Sequence, residues 1–314
     1  MKDVLVIVNP ASAGGGTGRR WAEVESRLRA AGLEVDARLT THPMHAAELA
    51  REGIREGRRV VASAGGDGTL NEVVNGFLDQ GGEPATAGTA LGLVPLGSGG
   101  DFRRSFGIPL DPVEAVRLLL SGPTRRIDAG RVSFPDHDGR PQVRHFINIA
   151  DAGIGGEVVN RVNRSSKRLG ADATFMLASV ASLLSWRNRP MRVTADGQVR
   201  DLVAQQVVVA NCQYFGSGMR MAPMADPSDG MFDIILVGDV GMVENVRGLS
   251  KIKSGTHLEE NNPKLESMRA RRVEVTSPDA VRLDLDGEQP GLLPAVFEIV
   301  PAAIDLIVPA TPVP

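Results

Sequence analysis

The pentapeptide Gly65-Gly66-Asp67-Gly68-Thr69 is the stretch of this sequence best suited to chemistry. It follows the strand-like run Arg59–Ala64 and precedes Leu70, Val73, Val74, Phe77 and Leu78, whose spacing marks one face of a helix. A turn so placed suits a phosphate. Glycines let the backbone approach a ligand closely, and the N–H groups of the turn and of the helix N-terminus face the anion. Asp67 needs a separate reason, because a carboxylate beside phosphates is repelled. A Mg²⁺ ion between them supplies one reason, and the organisation of an acceptor hydroxyl supplies another. The structural alternative is a plain turn in which Asp67 and Thr69 cap the helix.

The elements that must position this turn alternate in the manner of an α/β domain. Val4–Val8 reads as a buried strand, followed by the glycine-rich stretch Ala13–Gly18 and a helix marked by Trp21, Val24, Leu28 and Ala31. Val35–Thr40 is a second strand and Ala46–Glu56 a helix; Leu91–Pro95 is a strand ending in Leu96-Gly97-Ser98-Gly99-Gly100. Three strands therefore run into glycine-rich turns, and ligands of open α/β sheets bind at the carboxyl ends of strands. After Arg125 short β-type runs dominate, among them Ile127–Val132, Leu202–Asn211, Phe232–Val237 and Val281–Leu285. Turns such as Asp138-Gly139, Asp196-Gly197 and Asp286-Gly287 punctuate them, as in an antiparallel sandwich or barrel. Helical stretches interrupt this region around 156–187 and 241–254. The expected division is an α/β domain over 1–125, with the tail 300–314 packing back on it, and a β domain over 126–299.

The 314 residues are 42% hydrophobic and 23% charged, an ordinary globular composition. A net charge of −3 argues against a dedicated nucleic-acid binder. The single cysteine, Cys212, excludes an internal disulfide framework and a cysteine zinc site, and its apolar surroundings suggest a packing residue. No apolar stretch approaches the roughly 20 residues that span a bilayer, and the N-terminus lacks a cleavage signal. The expectation is a soluble, cytoplasmic protein whose membrane contact, if any, is peripheral at the inner face. The sequence leaves oligomeric state open, a homodimer included.

Val8-Asn9-Pro10-Ala11-Ser12-Ala13-Gly14, the Gly65–Thr69 turn continued by Leu70-Asn71-Glu72, and Val94–Phe102 occur in order. Further on come Ala222-Pro223 to Asp229-Gly230, Gly255-Thr256-His257, Arg269 to Val275 and Asp286-Gly287-Glu288. This combination resembles the catalytic domain of the diacylglycerol kinase family, with its bacterial lipid-kinase and sphingosine-kinase relatives, over almost the whole chain. The resemblance implies an α/β nucleotide domain with a parallel sheet, a C-terminal antiparallel β-sandwich domain, and an active site in the cleft between. It implies phosphoryl transfer from ATP to a lipid alcohol such as diacylglycerol, met at a membrane surface. Asn9, Pro10, Ala11, Ser12, Ala13, Thr40, Gly66, Asp67, Gly68, Thr69, Leu70, Asn71, Glu72 and Ser98 would line the ATP site. Asp67, Asp286 and Glu288 would be catalytic, one of the last two as general base or through a catalytic Mg²⁺. Asp229, with backbone carbonyls of Asp226 and Met231, would hold a structural Mg²⁺.

The sequence departs from the family pattern at Gly100, where an asparagine is usual, which removes a polar contact near the nucleotide. Asp286-Gly287 also reads, on residue types alone, as a hairpin turn. Two other functions compete. An NAD kinase would share the Gly-Gly-Asp-Gly-Thr turn, though the Val-Asn-Pro start and the Asp-Gly-Glu motif weigh against it. A non-catalytic ATP- or lipid-binding protein has only Gly100 in its favour. Arg161, Arg164, Lys167 and Arg168, followed by Phe175, Met176, Leu177, Val180, Leu183, Leu184 and Trp186, form a candidate membrane edge. The blander reading packs that apolar stripe on the sandwich.

Overall fold

A computed structural model of the chain describes residues 3–78, 88–97, 99–164, 171–259 and 262–310. Ser98, Lys167, Arg168 and residues 311–314 lie outside the described residues, as do the side chains of Arg164, Phe175 and Met176. The chain divides into two compact units, Met1–Asp128 with Ala302–Pro314, and Ala129–Pro301.

The first unit alternates β1 (Val4–Val8), α1 (Ser12–Ala30), β2 (Asp36–Leu39), α2 (His45–Arg55), β3 (Val60–Gly65), α3 (Asp67–Phe77) and β4 (Ala90–Pro95). Its last helices are α4 (Asp101–Phe106) and α5 (Pro112–Ser121). The strands lie in the order β2-β1-β3-β4 and pair in parallel, with Val4 opposite Val60 and Val60 opposite Ala90. β1, β3 and β4 are buried along their whole length, which explains their continuous apolar runs. Trp21, Val24 and Leu28 of α1 and Val116 and Leu119 of α5 pack on one side of this sheet. The start of α1 is not regular helix. Ala13, Gly14 and Gly15 have φ of 51°, 64° and 82°, so the glycine-rich segment makes a left-handed turn before the helix straightens. α5 opens with Asp111, whose carboxylate accepts the Val113 and Glu114 N–H groups, and with Pro112 in its first turn.

The second unit begins within β5 (Thr124–Pro135) and continues through β6 (Pro141–Phe146), β7 (Ile149–Gly153), α6 (Ile154–Arg164) and α7 (Ala171–Ser185). β8 (Arg189–Ala195), β9 (Gln198–Ala204), β10 (Gln206–Ala210), β11 (Tyr214–Phe215), β12 (Met219–Arg220) and β13 (Phe232–Val237) follow. Then come α8 (Met242–Ser254), β14 (Leu265–Ala270), β15 (Arg272–Thr276), β16 (Leu283–Leu285) and β17 (Ala295–Ile307). One antiparallel sheet runs β14-β13-β10-β7-β16. The other contains β5 and β6 together with β17, β15, β8 and β9. Their facing side chains form a single core: Phe146, Val193, Val273 and Phe297 from one sheet, Ala150, Val209, Phe232, Ile234 and Leu285 from the other. Phe146 stacks on Phe232 at 5.7 Å and meets Phe297 edge-on at 6.2 Å. A smaller cluster of Ile149, Val208, Met221, Ala222 and Ile235 covers the other face of the first of these sheets. Cys212 is fully buried.

The apolar stretch Leu202–Asn211, expected as one strand, is two. The chain breaks at Gln205, whose N–H bonds to the Val237 and Gly238 carbonyls, and passes from one sheet to the other. The stripe of α7 divides between the two readings: Trp186, just past the helix, packs against the sandwich core, whereas Leu177, Val180 and Leu184 stay exposed and Ala178 and Ser182 are buried. The end of β17 returns to the first unit, with Leu306 opposite Leu91 in parallel and the Ala302 N–H on the buried Asp128 carboxylate at 2.7 Å.

Candidate active site

The phosphate-type turn stands where β3 meets α3. Gly66 is the residue before the helix, in extended conformation, and has no side chain with which to cap α3. The N-cap residue itself therefore offers the first-turn N–H groups no side-chain acceptor. A second turn lies directly against the first. The Leu96 and Gly97 N–H groups both donate to the Gly65 carbonyl, at 3.1 and 2.8 Å. A Cβ on Gly97 would fall 2.3 Å from the Gly66 Cα, so the two backbones touch and only glycine fits. The third loop joins through Asn9, whose N–H donates to the Ala64 carbonyl at 3.1 Å. The Asn9 side chain accepts the Ala11 N–H at 3.0 Å, and Ser12 Oγ donates to the Asn9 carbonyl at 3.0 Å. Thr17 Oγ1 donates to the Leu96 carbonyl at 3.4 Å, tying α1 to the β4 turn. Backbone from the ends of β1, β3 and β4 is therefore drawn into one place in the first unit.

Around this backbone the side chains divide in their duties. Asp67 Oδ2 accepts the Asp101 N–H at 3.2 Å, and Asp101 holds Arg104 at 2.8 Å. Arg103, kept below the usual arginine range by burial and then by Arg104, feels the opposing charge of Asp67. Thr40 is buried at the end of β2, its N–H on the Val8 carbonyl at 2.9 Å. Glu72 accepts the Ala46 N–H at 3.2 Å and so supports the start of α2. Leu70 and Asn71 are buried, and Asn71 accepts from the Asn75 side chain one turn on. Gly100 is left-handed, with φ of 67°.

The acidic motif lies in the second unit and is a true hairpin turn. Asp286 and Gly287 have φ of 51° and 87°, and Leu285 and Glu288 exchange both backbone hydrogen bonds, at 2.8 and 3.0 Å. It is also more than a turn. The buried Asp286 carboxylate accepts three backbone N–H groups from the β6–β7 connection: Ile147 at 3.0 Å, Asn148 at 3.0 Å and Ile149 at 3.1 Å. Both its oxygens are thus engaged, whereas Glu288 is exposed on the arm of the same turn.

Beneath the turn is a pair of carboxyl groups that residue types did not single out. Asp284 of β16 stands directly opposite Asp151 of β7 and accepts the Gly287 N–H at 2.7 Å. Asp151 is 1% exposed, and neither of its oxygens meets a donor at hydrogen-bonding geometry; the nearby Gly156 amide offers only a partial offset. Burial raises the Asp151 carboxyl from 3.8 to about 7. Asp284 is raised well above its ordinary value, first by burial and then by the charge of Asp151. The one signal in the sequence was a charge inside the apolar run Ile149–Ala152.

The segment Ala222–Met231 forms the third candidate. Asp226 Oδ1 accepts the Ser228 N–H at 3.1 Å, and Asp229 Oδ1 accepts the Met231 N–H at 3.0 Å. Arg269 engages the other oxygen of Asp229 and lies 3.6 Å from Asp233. Burial raises Asp233, Arg269 opposes the rise, and Asp229 and Asp226 add to it. One guanidinium therefore stands among three carboxylates. Among the described residues no three acidic, histidine or cysteine side chains converge closely enough to form a ready-made metal site. His257 is buried, with Nε2 at 3.0 Å from the Met221 carbonyl, and burial lowers its pKa.

With this geometry in hand, the family is clear. Residues 3–132 match the diacylglycerol kinase catalytic domain, and residues 148–308 match the YegS C-terminal NAD kinase beta sandwich-like domain. The chain is 31% identical over 269 residues to "Probable lipid kinase YegS-like" of Chromohalobacter salexigens, covering 85% of this chain and 81% of that one. It is 29% identical over 310 residues to the diacylglycerol kinase of Bacillus subtilis, covering 98% and 97%. A crystal structure of a diacylglycerol kinase from Bacillus anthracis shares the fold, with a TM-score of 0.70, 21% identity, and coverage of 99% of this chain and 98% of that one. Yeast NADH kinase is a more distant neighbour in fold, at a TM-score of 0.50 and 12% identity over 99% of this chain and 84% of its own. The protein belongs to the diacylglycerol kinase family of lipid kinases, enzymes that transfer phosphate to an alcohol.

Proposed function

We propose that this chain transfers the γ-phosphate of ATP to the hydroxyl of diacylglycerol or a related lipid alcohol, with Mg²⁺. The observation that carries the nucleotide half is the meeting of three backbone turns, with glycine at the position before α3. Asn9, Pro10, Ala11, Ser12, Ala13, Thr40 and the 66–69 turn hold the phosphates; Ser98 belongs to the same assignment. Leu70, Asn71 and Glu72 act on the nucleotide through the helix they pack and support, since their side chains are occupied there. Phosphoryl transfer depends on positioning and charge neutralisation, and Mg²⁺ supplies the latter when bound. Asp67 is the carboxylate of the turn suited to that cation or to the acceptor hydroxyl.

For the acceptor half, Glu288 is the general base. Asp286 commits both oxygens to amide protons and so holds the turn that presents Glu288. A base must be within reach of the hydroxyl, and an exposed carboxylate on a fixed turn is accessible to it. Asp229, with the backbone carbonyls of Asp226 and Met231, would hold a structural Mg²⁺, and the cation would share Asp229 with Arg269. The division of labour, nucleotide in the first unit and lipid alcohol in the second, belongs to the same proposal.

The test is transfer of labelled phosphate from ATP to diacylglycerol in mixed micelles, beside NAD as competing acceptor. Labelled lipid is expected. Phosphorylated NAD with no labelled lipid would sink the proposal. Asp67→Ala is expected to lower kcat by at least ~10²-fold, the scale for losing one electrostatic group of a reaction centre.

A further inference from the structure

α8 is a helix with no buried residue, an unusual state for thirteen ordered residues of a globular unit. Met242, Val246, Leu249 and Lys253 follow at spacings of four, three and four, so they form one stripe, and Val243 adjoins it. Val246 is 66% exposed, and Met242, Val243 and Leu249 are exposed as well. Ile252, on the adjoining side of the helix, packs against the cluster over the sandwich and anchors the helix. The patch extends beyond α8. Met242 and Leu184 of α7 line the same shallow cavity of about 260 Å³, and Leu184 is 64% exposed, in line with Val180 and Leu177.

The charges on α8 favour one kind of occupant. Its one carboxylate, Glu244, is bound by Lys264 at 2.8 Å and lies off the apolar stripe. Arg247 and Lys253 have no ion-pair partner among the described residues, and Lys251 adds a third cation, on a chain whose net charge is −3. We propose that α8, with the exposed face of α7, is the surface by which this protein docks on an anionic lipid leaflet. The apolar stripe enters the acyl boundary while Arg247 and Lys253 meet the headgroups. A second copy of the chain fits poorly, because a two-fold contact would set these cations against their own images. The docking inference rests on the lipid-kinase reading for its purpose, but its test does not depend on turnover.

Flotation of the full chain with vesicles of phosphatidylglycerol and of phosphatidylcholine is the experiment. Binding to the anionic vesicles alone is expected. Arg247→Glu with Lys253→Glu is expected to weaken it at least ~25-fold, taking roughly fivefold for each cation lost at the surface. Val246→Asp is expected to weaken it at least ~10-fold. Because these side chains are exposed, the thermal midpoint should stay, as should turnover of a micelle-dispersed lipid. Wild-type protein that fails to float with anionic vesicles overturns the inference, as do variants that float like the wild type. A dimer that Val246→Asp dissociates while vesicle binding persists assigns the face to self-association and overturns it too. Absence of lipid turnover in micelles, with flotation intact, would count against the kinase proposal and leave docking standing.

Discussion

Asp151→Asn is the perturbation that most directly tests the buried carboxyl pair. In the folded chain Asp151 holds its proton to about 7, against an ordinary value of 3.8. Below about pH 4 folded and unfolded chains are both protonated there, and the residue costs nothing. As pH rises, the unfolded chain ionises while the folded one cannot, so stability is lost progressively up to about pH 7 and stays lost above it. Asparagine has no such proton, and its amide can donate to Asp284 across the strand pair. A difference of about 3 pKa units corresponds to about 4 kcal/mol, an upper bound because Asp284 titrates with its neighbour. Urea unfolding at several pH values reads the effect. The variant should match the wild type near pH 4 and exceed it by up to about 4 kcal/mol at pH 8. A difference that does not change with pH, or a variant less stable at pH 8, would refute the reasoning.

Other perturbations separate positioning from chemistry. Asp286→Ala leaves three buried amides without an acceptor and is expected to cost about 3 kcal/mol in denaturant unfolding as well as activity. Glu288→Gln should instead lower kcat by ~10²-fold or more with an unchanged thermal midpoint, and a shifted midpoint with normal kcat would reverse the two roles. Gly97→Ala places a Cβ against the Gly66 backbone and is expected to destabilise by at least about 2 kcal/mol while weakening ATP binding, measured by calorimetry. Gly100→Asn should be tolerated, because asparagine accepts left-handed backbone and a Cβ there meets only Arg103 at ordinary contact distance. A several-fold lower KM for ATP is expected, and an unchanged KM would show that the missing asparagine is immaterial.

Much of the fold was legible where burial and periodicity coincide. β1, β3 and β4 are buried on both faces, so their sequences are unbroken apolar runs, and glycines mark where each one ends. The strand pair hidden in Leu202–Asn211 was not legible, because the apolar end of β9, Leu202–Ala204, runs close to the apolar β10 and the break at Gln205 arises from a change of sheet. The bare face of α8 escaped notice, and the stripe of α7 admitted both a membrane edge and a packed face, for a related reason: periodicity reveals an apolar face without saying what covers it. At the candidate site, the glycine turn could be read because its chemistry is local. Asp151 and Asp284 are 133 positions apart and become a pair only through the register of β7 and β16. The engagement of Asp286 with residues 147–149 was equally out of reach, and the proposed positioning role rests on it.

The long strand β17 sets the order in which this protein is made. Its final residues supply the partner for the edge of β4, and its Ala302 amide satisfies the buried carboxylate of Asp128. A nascent chain that has emerged only to residue 128 therefore has an unpaired sheet edge and lacks the Ala302 amide that meets the Asp128 carboxylate. The first unit to leave the ribosome is the last to be completed, and must wait through the synthesis of the entire sandwich for its closing strand. A fragment truncated at 128 lacks that strand, which makes it a poor choice for expressing the nucleotide-binding half alone.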